Sequence, residues 1–272
     1  MPFADGEPSS FEGNGSPMNK STLSPASRQK FPWDFAIAKS RGIYGFDALD
    51  SRSRSFNMVR ARLMELNQQH GWRMFGVVSA TPNVGKSFIA ANIAASLSRE
   101  PSLQTFAIDL DLRRATLSSM FGITPKVSLA SYLAEEAGAE APTVYALDKE
   151  NLTVVPTIAK ALRSAELVAG YRAQAMLQEL RDMGESAMVV VDLPPVFAND
   201  DALTVMSKLD AYIMVAEEGK TRQRELTDAI GLLGPERLAG VILNKYRGGM
   251  ISEGYGFDSY YAEGYGTDDN ED

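Results

Sequence analysis

The sequence predicts a three-layer α/β/α domain with a mainly parallel central sheet. Short apolar runs such as AMVVVDL and LAGVILN alternate with segments whose apolar residues recur every three or four positions. This alternation of strand and helix is typical of parallel sheets that carry helices on both faces. The apolar runs are almost uninterrupted, as expected for strands that are covered on both sides.

The elements can be placed in order along the chain. The first predicted helix lies within residues 48–68, where Phe56, Val59, Leu63 and Leu66 form a stripe at helical spacing. Apolar runs predict strands at 73–80, 104–110, 151–157, 187–193, 211–217 and 238–244. Helical patterns between them predict helices at 85–98, 116–122, 128–138, 164–184 (interrupted near Gly170), 201–209 and 221–234.

Composition divides the chain into three parts. Residues 1–50 are rich in Pro, Ser and Gly, and we predict that they are disordered or lie extended over the surface. Residues 51–248 form the predicted α/β domain. Residues 249–272 hold seven carboxylates and no basic residue, which predicts a flexible acidic tail.

The overall composition excludes several classes of protein. A net charge of -8 argues against nucleic acid as a partner. The chain has no Cys, which rules out a disulfide framework, thiolate metal sites and thiol nucleophiles, and His70 is its only histidine. No apolar run reaches the ~18 residues of a membrane span. We therefore expect a cytoplasmic protein whose membrane role, if any, comes through a partner.

The segment GVVSATPNVGKSF carries the clearest chemical signal. A predicted strand ends at Ser79, a loop follows, and Gly85-Lys86-Ser87 begins a helix. This spacing is that of a phosphate-binding loop, G-x-x-x-x-G-K-[ST], except that Ala80 replaces the first glycine. Backbone N–H groups and the helix dipole would bind phosphate, Lys86 would reach the β- and γ-phosphates, and Ser87 would ligate Mg²⁺. The expected nucleotide contacts are Pro82, Asn83, Val84, Gly85, Lys86, Ser87 and Phe88.

Acidic residues follow two other predicted strands. Asp109 ends the strand of TFAIDLDLRR, Asp111 comes just after it, and Asp192 ends the strand of AMVVVDLPPV. Ligands of parallel sheets bind at the carboxyl ends of strands, so these acids are expected near the phosphates. Asp192 would hold Mg²⁺ through water, and Asp109 or Asp111 would complete the metal shell or accept a proton from a hydroxyl group.

Together these stretches resemble the bacterial tyrosine kinases, the cytoplasmic P-loop ATPases that work with polysaccharide co-polymerases in exopolysaccharide and capsule export. The resemblance rests on SATPNVGKSFIAANIAASLS, AIDLDLRRATLSSMFG and VVVDLPPVFANDDAL, which look like the Walker A, A′ and B blocks. It continues through AELVA, VAEEGKTRQREL and GVILNK, and so covers roughly residues 52–246.

The resemblance implies that Lys86 and Ser87 bind ATP and Mg²⁺, with Asp109, Asp111 and Asp192 as the catalytic acids and with Ser87, Asp109 and Asp192 near the metal. Asn244 would lie near the base. It also implies that a neighbouring subunit phosphorylates the tail tyrosines Tyr255, Tyr260, Tyr261 and Tyr265. The implied partners are a separate membrane-spanning co-polymerase, further copies of the chain in a ring, and a counteracting tyrosine phosphatase. The chain would then lie at the inner face of the plasma membrane.

Two departures from the family pattern keep other interpretations open. The Glu-x-x-Arg-x-x-Arg pattern that the family uses in ring assembly becomes Arg54, Asn57 and Arg60, and PPNPAELL becomes KALRSAELVA. One alternative is therefore a nucleotide-binding regulatory subunit without kinase activity. Another is a partitioning or positioning ATPase, although Ala80, Thr81 and Pro82 replace the early lysine and glycines that such loops carry.

Overall fold

The computed structural model describes residues 23, 28–135, 141–148, 150–159 and 163–247. Its strands are β1 (Arg28–Phe31), β2 (Met74–Ser79), β3 (Gln104–Asp109), β4 (Val144–Leu147), β5 (Leu152–Val155), β6 (Ala187–Asp192), β7 (Ala211–Glu217) and β8 (Leu238–Asn244). Its helices are α1 (Phe35–Ser40), α2 (Arg54–His70), α3 (Lys86–Leu97), α4 (Leu117–Phe121), α5 (Leu129–Leu133), α6 (Ser164–Ala169), α7 (Tyr171–Asp182), α8 (Asp201–Met206) and α9 (Gln223–Leu233).

The strands form one sheet in the order β1-β4-β5-β3-β6-β2-β7-β8. Neighbouring strands are parallel throughout, except that β4 and β5 are antiparallel. β2, β3 and β6 lie in the interior of the sheet, and β2 and β6 are buried along their whole length. Because parallel strands begin at one edge and end at the other, the loops after β2, β3 and β6 meet at the same edge of the sheet.

A hydrophobic core lies on each face of the sheet. One core contains Phe106, Val189 and Met214 and is covered by α5 to α9. The other contains Phe75, Ala107 and Ile213 and is covered by α1 to α4. Side chains of one strand alternate between the two cores, because successive residues of a strand point to opposite faces. The predicted three-layer α/β/α class with a mainly parallel sheet is thus confirmed.

The amino-terminal segment differs from the prediction. Residues 1–50 were expected to be disordered or extended over the surface, but residues 28–50 contribute β1 and α1 to the fold. Trp33, Ile43 and Phe46 of this segment are buried in the second core. Sequence periodicity misses them, because these anchors are irregularly spaced between polar residues and do not form a helical or strand pattern.

Two strands were not predicted, β1 and β4. Each has four residues, and the two pair with each other at one end of the sheet. β1 reads RQKF, whose polar residues suit an edge strand and give no apolar run. The other strands and the helix break at Gly170 agree with the sequence, whereas α5 ends at Leu133 and is shorter than the predicted 128–138.

Candidate functional site

The loop of residues 80–85 joins β2 to α3 at the point where the strand order of the sheet reverses. β2 lies between β6 and β7, while the chain leaves α3 for β3 on the far side of β6. Such a reversal of strand order opens a crevice at the carboxyl edge, where open α/β sheets bind ligands. The phosphate loop predicted from the sequence lies at this position.

Gly85, the N-cap residue that precedes α3, has a left-handed conformation, with φ at 93°. A Cβ at this position would lie 2.3 Å from Nδ2 of Asn244, so a larger residue would collide with the end of β8. Among the residues that the structure describes, no hydrogen bond uses the N–H groups of Val84, Gly85 or Lys86 as a donor. These N–H groups, at the positive end of the helix dipole, are free to bind an anion.

Lys86 is held inside the site. Lys86 is only 5% exposed, and its Nζ lies 3.9 Å from Oδ2 of Asp111. A buried ammonium needs a compensating charge, and Asp111, only 2% exposed itself, supplies it. At 3.9 Å the contact is longer than a direct hydrogen bond, so Lys86 keeps donors for a phosphate oxygen.

Ser87 connects the helix to the strand-end acids. Its hydroxyl donates a hydrogen bond to Oδ2 of Asp192 and forms another with the hydroxyl of Thr116. The second oxygen of Asp192, Oδ1, is buried and has no hydrogen-bond partner within the described part of the chain. An unsatisfied buried carboxylate oxygen is costly, and here it marks a place where a cation or its water would be stabilised.

Asp109 lies beside Asp192, because the two are paired in register on β3 and β6. Its Oδ1 accepts a hydrogen bond from the backbone N–H of Asp111 at 3.2 Å, and its Oδ2 accepts one from the N–H of Leu117 at 3.0 Å. Asp109 therefore closes the loop that carries Asp111 and leads to α4.

Burial shifts the pKa values of Asp109 and Asp192 upward. Burial raises the pKa of Asp109 well above its ordinary value, and the negative charges of Asp192 and Asp111 raise it further. Burial also raises the pKa of Asp192 to about 6, against the opposing effects of Lys86 and the Ser87 hydrogen bond. Three buried carboxylates thus lie beside one buried lysine, an arrangement of perturbed groups that is common at functional sites.

The donor set fits Mg²⁺ bound with a nucleotide. In the described ranges, no three His, Cys, Asp or Glu side chains are grouped to hold a metal ion by themselves. Mg²⁺ does not require such a group, because it keeps several waters and takes one or two protein oxygens together with substrate phosphates. The Ser87 hydroxyl and the unpartnered oxygen of Asp192 provide such oxygens.

The remaining predicted contacts occupy different positions. Asn244 donates from Nδ2 to the backbone oxygen of Val84 at 2.8 Å, so its amide contacts the phosphate loop itself. Phe88 packs against Phe56, with ring centroids 6.0 Å apart, and this places its ring against α2. Pro82 and Asn83 are exposed at the tip of the loop. Tyr255, Tyr260, Tyr261 and Tyr265 lie outside the described residues.

Sequence reasoning missed three residues that contact this site. Thr116 bonds Ser87, the Nη1 of Arg114 donates to Oδ1 of Asn83 at 2.5 Å, and Nζ of Lys245 donates to the oxygen of Asn83 at 2.8 Å. Arg114 and Thr116 lie within AIDLDLRRATLSSMFG, the stretch that resembles the Walker A′ block, and this resemblance was the available signal for them. Lys245 is 162 positions from Asn83 in the chain, and no motif connects them.

Comparison with known families identifies the nucleotide-binding class. The profile of the CobQ/CobB/MinD/ParA nucleotide binding domain matches residues 75–255, more than half of the chain. The chain belongs to this family. The phosphate loop predicts that this chain binds a nucleotide, and the CobQ/CobB/MinD/ParA family is defined by a nucleotide binding domain, so the two findings agree.

Relatives within the family include tyrosine kinases. The tyrosine-protein kinase YwqD of Bacillus subtilis is 27% identical over 80% of this chain and 88% of its own length. The succinoglycan biosynthesis transport protein ExoP of Rhizobium meliloti is 31% identical over 64% of this chain, which spans only 22% of ExoP. The solved kinase domain of the Escherichia coli tyrosine kinase ETK superposes with a TM-score of 0.63 at 25% identity, covering 73% of this chain and 79% of that domain. The resemblance to bacterial tyrosine kinases is confirmed.

In the ranges that the structure describes, none of the helices combines the length and the apolar character needed to cross a bilayer.

Proposed function

We propose that this chain is an ATP-dependent protein-tyrosine kinase with ATPase activity that phosphorylates its own carboxyl-terminal tyrosines in trans. The observation that carries the proposal is the convergence of Lys86, Ser87 and three strand-end carboxylates at one edge of the sheet. Phosphoryl transfer requires positioning and charge neutralisation more than covalent chemistry, and this group provides both. YwqD and ETK, which carry the name of tyrosine kinases, support it.

Each group of the site has a distinct task in this proposal. The N–H groups of the loop and the Lys86 ammonium bind the phosphates and neutralise charge on the transferred group. Each oxygen of Asp109 accepts a hydrogen bond from a backbone N–H group, so in this proposal Asp109 positions the Asp111 loop. Asp111 is left to accept the proton of the attacking tyrosine, whose hydroxyl group has a pKa near ~10 and is a weak nucleophile by itself.

Ser87 and Asp192 would hold Mg²⁺, which supplies positive charge to the β- and γ-phosphate oxygens when bound. Asp192 accepts from Ser87 through Oδ2 and leaves Oδ1 unpartnered among the described residues. This hydrogen bond keeps the Ser87 hydroxyl beside the Asp192 carboxylate, so both residues offer an oxygen at the end of the same strand, β6.

The acceptor tyrosines are Tyr255, Tyr260, Tyr261 and Tyr265, within a segment that already holds seven carboxylates. Each phosphate would add roughly -1.5 to -2 charges, and like-charge repulsion would weaken binding of the tail to an acidic site. The unmodified tail would thus favour association of copies, and the modified tail would favour their release.

The cellular role proposed is regulation of exopolysaccharide or capsule polymerisation and export. A separate membrane-spanning co-polymerase would hold the chain at the inner face of the plasma membrane, and a tyrosine phosphatase would reverse the modification. Support comes from ExoP, whose name assigns it to succinoglycan biosynthesis and transport.

Incubation of the purified chain with Mg-ATP, alone and with its co-polymerase, tests the kinase proposal. We expect phosphotyrosine in the wild type, and none in Lys86→Met or in a variant with all four tail tyrosines changed to phenylalanine. The absence of phosphotyrosine under both conditions contradicts kinase activity.

The same variants examine the regulatory alternative, which is favoured by the replacement of the assembly pattern by Arg54, Asn57 and Arg60. In the structure Asn57 accepts a hydrogen bond from Arg99 at 2.7 Å and is thus engaged within its own molecule. A regulator predicts that Lys86→Met abolishes nucleotide binding, whereas the tyrosine variant changes neither binding nor polymer output.

A further inference from the structure

Two donors from the end of β8 hold the outer side of the phosphate loop. Lys245 donates from Nζ to the backbone oxygen of Asn83 at 2.8 Å, and Asn244 donates from Nδ2 to the backbone oxygen of Val84 at 2.8 Å. The two acceptors are the oxygens of consecutive peptide groups. The loop is therefore contacted at two adjacent peptides by two adjacent residues.

The orientation of these peptides decides where their N–H groups point. In a trans peptide, the C=O and the N–H point in opposite directions. Since the oxygen of Asn83 points to Lys245, the N–H of Val84 points away from Lys245, and the oxygen of Val84 likewise fixes the N–H of Gly85. Both N–H groups lack an acceptor among the described residues. An anion-binding loop needs this arrangement, with oxygens turned outward and N–H groups turned inward.

The backbone around this contact occupies unusual conformations. Asn83 has φ at 68° and Lys245 has φ at 57°, both in the left-handed region that side chains disfavour. Such conformations persist where surrounding contacts hold them, and they cluster at functional sites. Here the contact between the two residues is itself one of the restraints, together with the Arg114 bond to Oδ1 of Asn83.

We propose that Lys245 is a positioning residue, which fixes the peptide orientation of the phosphate loop through the backbone oxygen of Asn83 and so organises the loop for nucleotide phosphates. This role of Lys245 rests on the proposed nucleotide-dependent function, because the loop that Lys245 organises is the one proposed to bind the nucleotide. Lys245 does not touch the phosphates, and it acts through the loop backbone.

The chain offers a matched control for this role. Glu217 accepts from two lysines at its Oε2, from Lys245 at 3.1 Å and from Lys220 at 3.2 Å. The two lysines are similarly exposed, at 46% and 51% of their side chains. Of these two lysines, Lys245 is the one that also donates to the backbone oxygen of Asn83. Removing Lys220 thus removes one ion pair to Glu217 and leaves the contact with the loop in place.

The experiment compares Lys245→Ala, Lys245→Arg and Lys220→Ala with the wild type. Affinity for Mg-ADP is measured by calorimetry, KM and kcat for ATP are measured separately, and hydrogen exchange of residues 80–88 is followed without nucleotide. We expect Lys245→Ala to weaken Mg-ADP binding and raise KM about two- to tenfold, the usual size of one lost hydrogen bond, with kcat within about twofold. Exchange of the loop should accelerate, Lys245→Arg should restore most of the affinity, and Lys220→Ala should match the wild type.

Unchanged loop exchange in Lys245→Ala overturns the inference, and so does an equal effect of Lys220→Ala, which would assign the effect to Glu217. These outcomes are separate from failure of the proposed function. If the wild type binds no nucleotide, the proposed function fails, while the exchange experiment still decides whether Lys245 orders the loop.

Discussion

At Gly85, the sequence motif, the backbone conformation and the packing of the site all call for a glycine. Its φ of 93° is unfavourable for any residue with a Cβ, and that Cβ would also collide with Asn244. The glycine of the phosphate-loop motif therefore allows the close approach of β8 as well as the turn into α3.

Replacing Gly85 with alanine should disrupt the loop. We expect Gly85→Ala to weaken Mg-ADP binding at least about tenfold, because the loop must shift to relieve both strain and collision. Calorimetry measures the effect. Gly71→Ala is the control, because Gly71 has φ at 70° but no described atom lies within 4 Å of the place that its methyl group would take. It should lower stability by about 1 kcal/mol and leave binding unchanged; equal binding by both variants would contradict the argument.

Asp192 makes the stability of the nucleotide-free protein sensitive to pH. Its folded pKa, about 6, lies above the ordinary value of 3.8, so the folded state binds the proton more tightly than the unfolded state. The contribution of Asp192 to folding stability is therefore fully present below about pH 4, and it is lost as the pH rises through about 6. The shift corresponds to a penalty on the order of 3 kcal/mol above pH 6.

The variant Asp192→Asn should remove that penalty. Without nucleotide, we expect it to unfold at a higher temperature than the wild type at pH 8, with a difference that shrinks toward zero between pH 6 and pH 4. Thermal unfolding across this range measures it, and Asp200→Asn, a change of an exposed carboxylate, is the control. A difference that does not depend on pH would show that charge is not the cause.

At the scale of elements, residues 28–50, which precede α2, supply buried side chains that complete the second core. Trp33 contacts the rings of Phe46 and Phe121, with centroids 5.7 and 5.8 Å apart. Tyr44 and Gly45 donate backbone N–H groups to Oδ1 of Asn92 in α3. The segment is thus bonded to the helix that begins at the phosphate loop.

Two substitutions in this segment measure its contribution. Ile43 is 1% exposed and Leu49 is 94% exposed. We expect Ile43→Ala to lower the free energy of unfolding by about 2–5 kcal/mol, because it leaves a cavity, and Leu49→Ala to change it by less than about 0.5 kcal/mol. Denaturant unfolding compares them. Equal effects would mean that the segment does not pack as described.

The elements also show how far sequence reasoning extends. β2, β3 and β6 were predictable because strands buried on both faces read as apolar runs, and their final residues Ser79, Asp109 and Asp192 then follow from the carboxyl-edge rule. β1 was not, because an edge strand such as RQKF has no such pattern. Contacts of Thr116, Arg114 and Lys245 with the loop depend on which loops meet in space, and local periodicity does not contain that information.

At the scale of the whole molecule, both cores share one sheet, and the site lies at its edge between them. Ligand binding there should stabilise the described domain as one cooperative unit. At about 100 times its dissociation constant, Mg-ADP would contribute about 2.7 kcal/mol, or a rise of about 5–10 °C in Tm for a domain of this size.

Calorimetric scanning tests this expectation. We expect a single transition in the wild type that moves upward with Mg-ADP, and no movement in Lys86→Met, which lacks the buried ammonium. A second transition that ignores the nucleotide would show that one core unfolds independently.

The end of β8 lies beside the phosphate loop, and Arg247, exposed there, donates its backbone N–H to Glu218 at 2.7 Å. The chain has no cysteine, so Arg247→Cys would create a single attachment point for a fluorescent dye. A dye at this position would lie two residues after Lys245, which contacts the loop, and would not replace any residue proposed to touch phosphate. Because the sheet brings the end of β8 to the phosphate loop, the fluorescence of the labelled chain would report whether a nucleotide is bound.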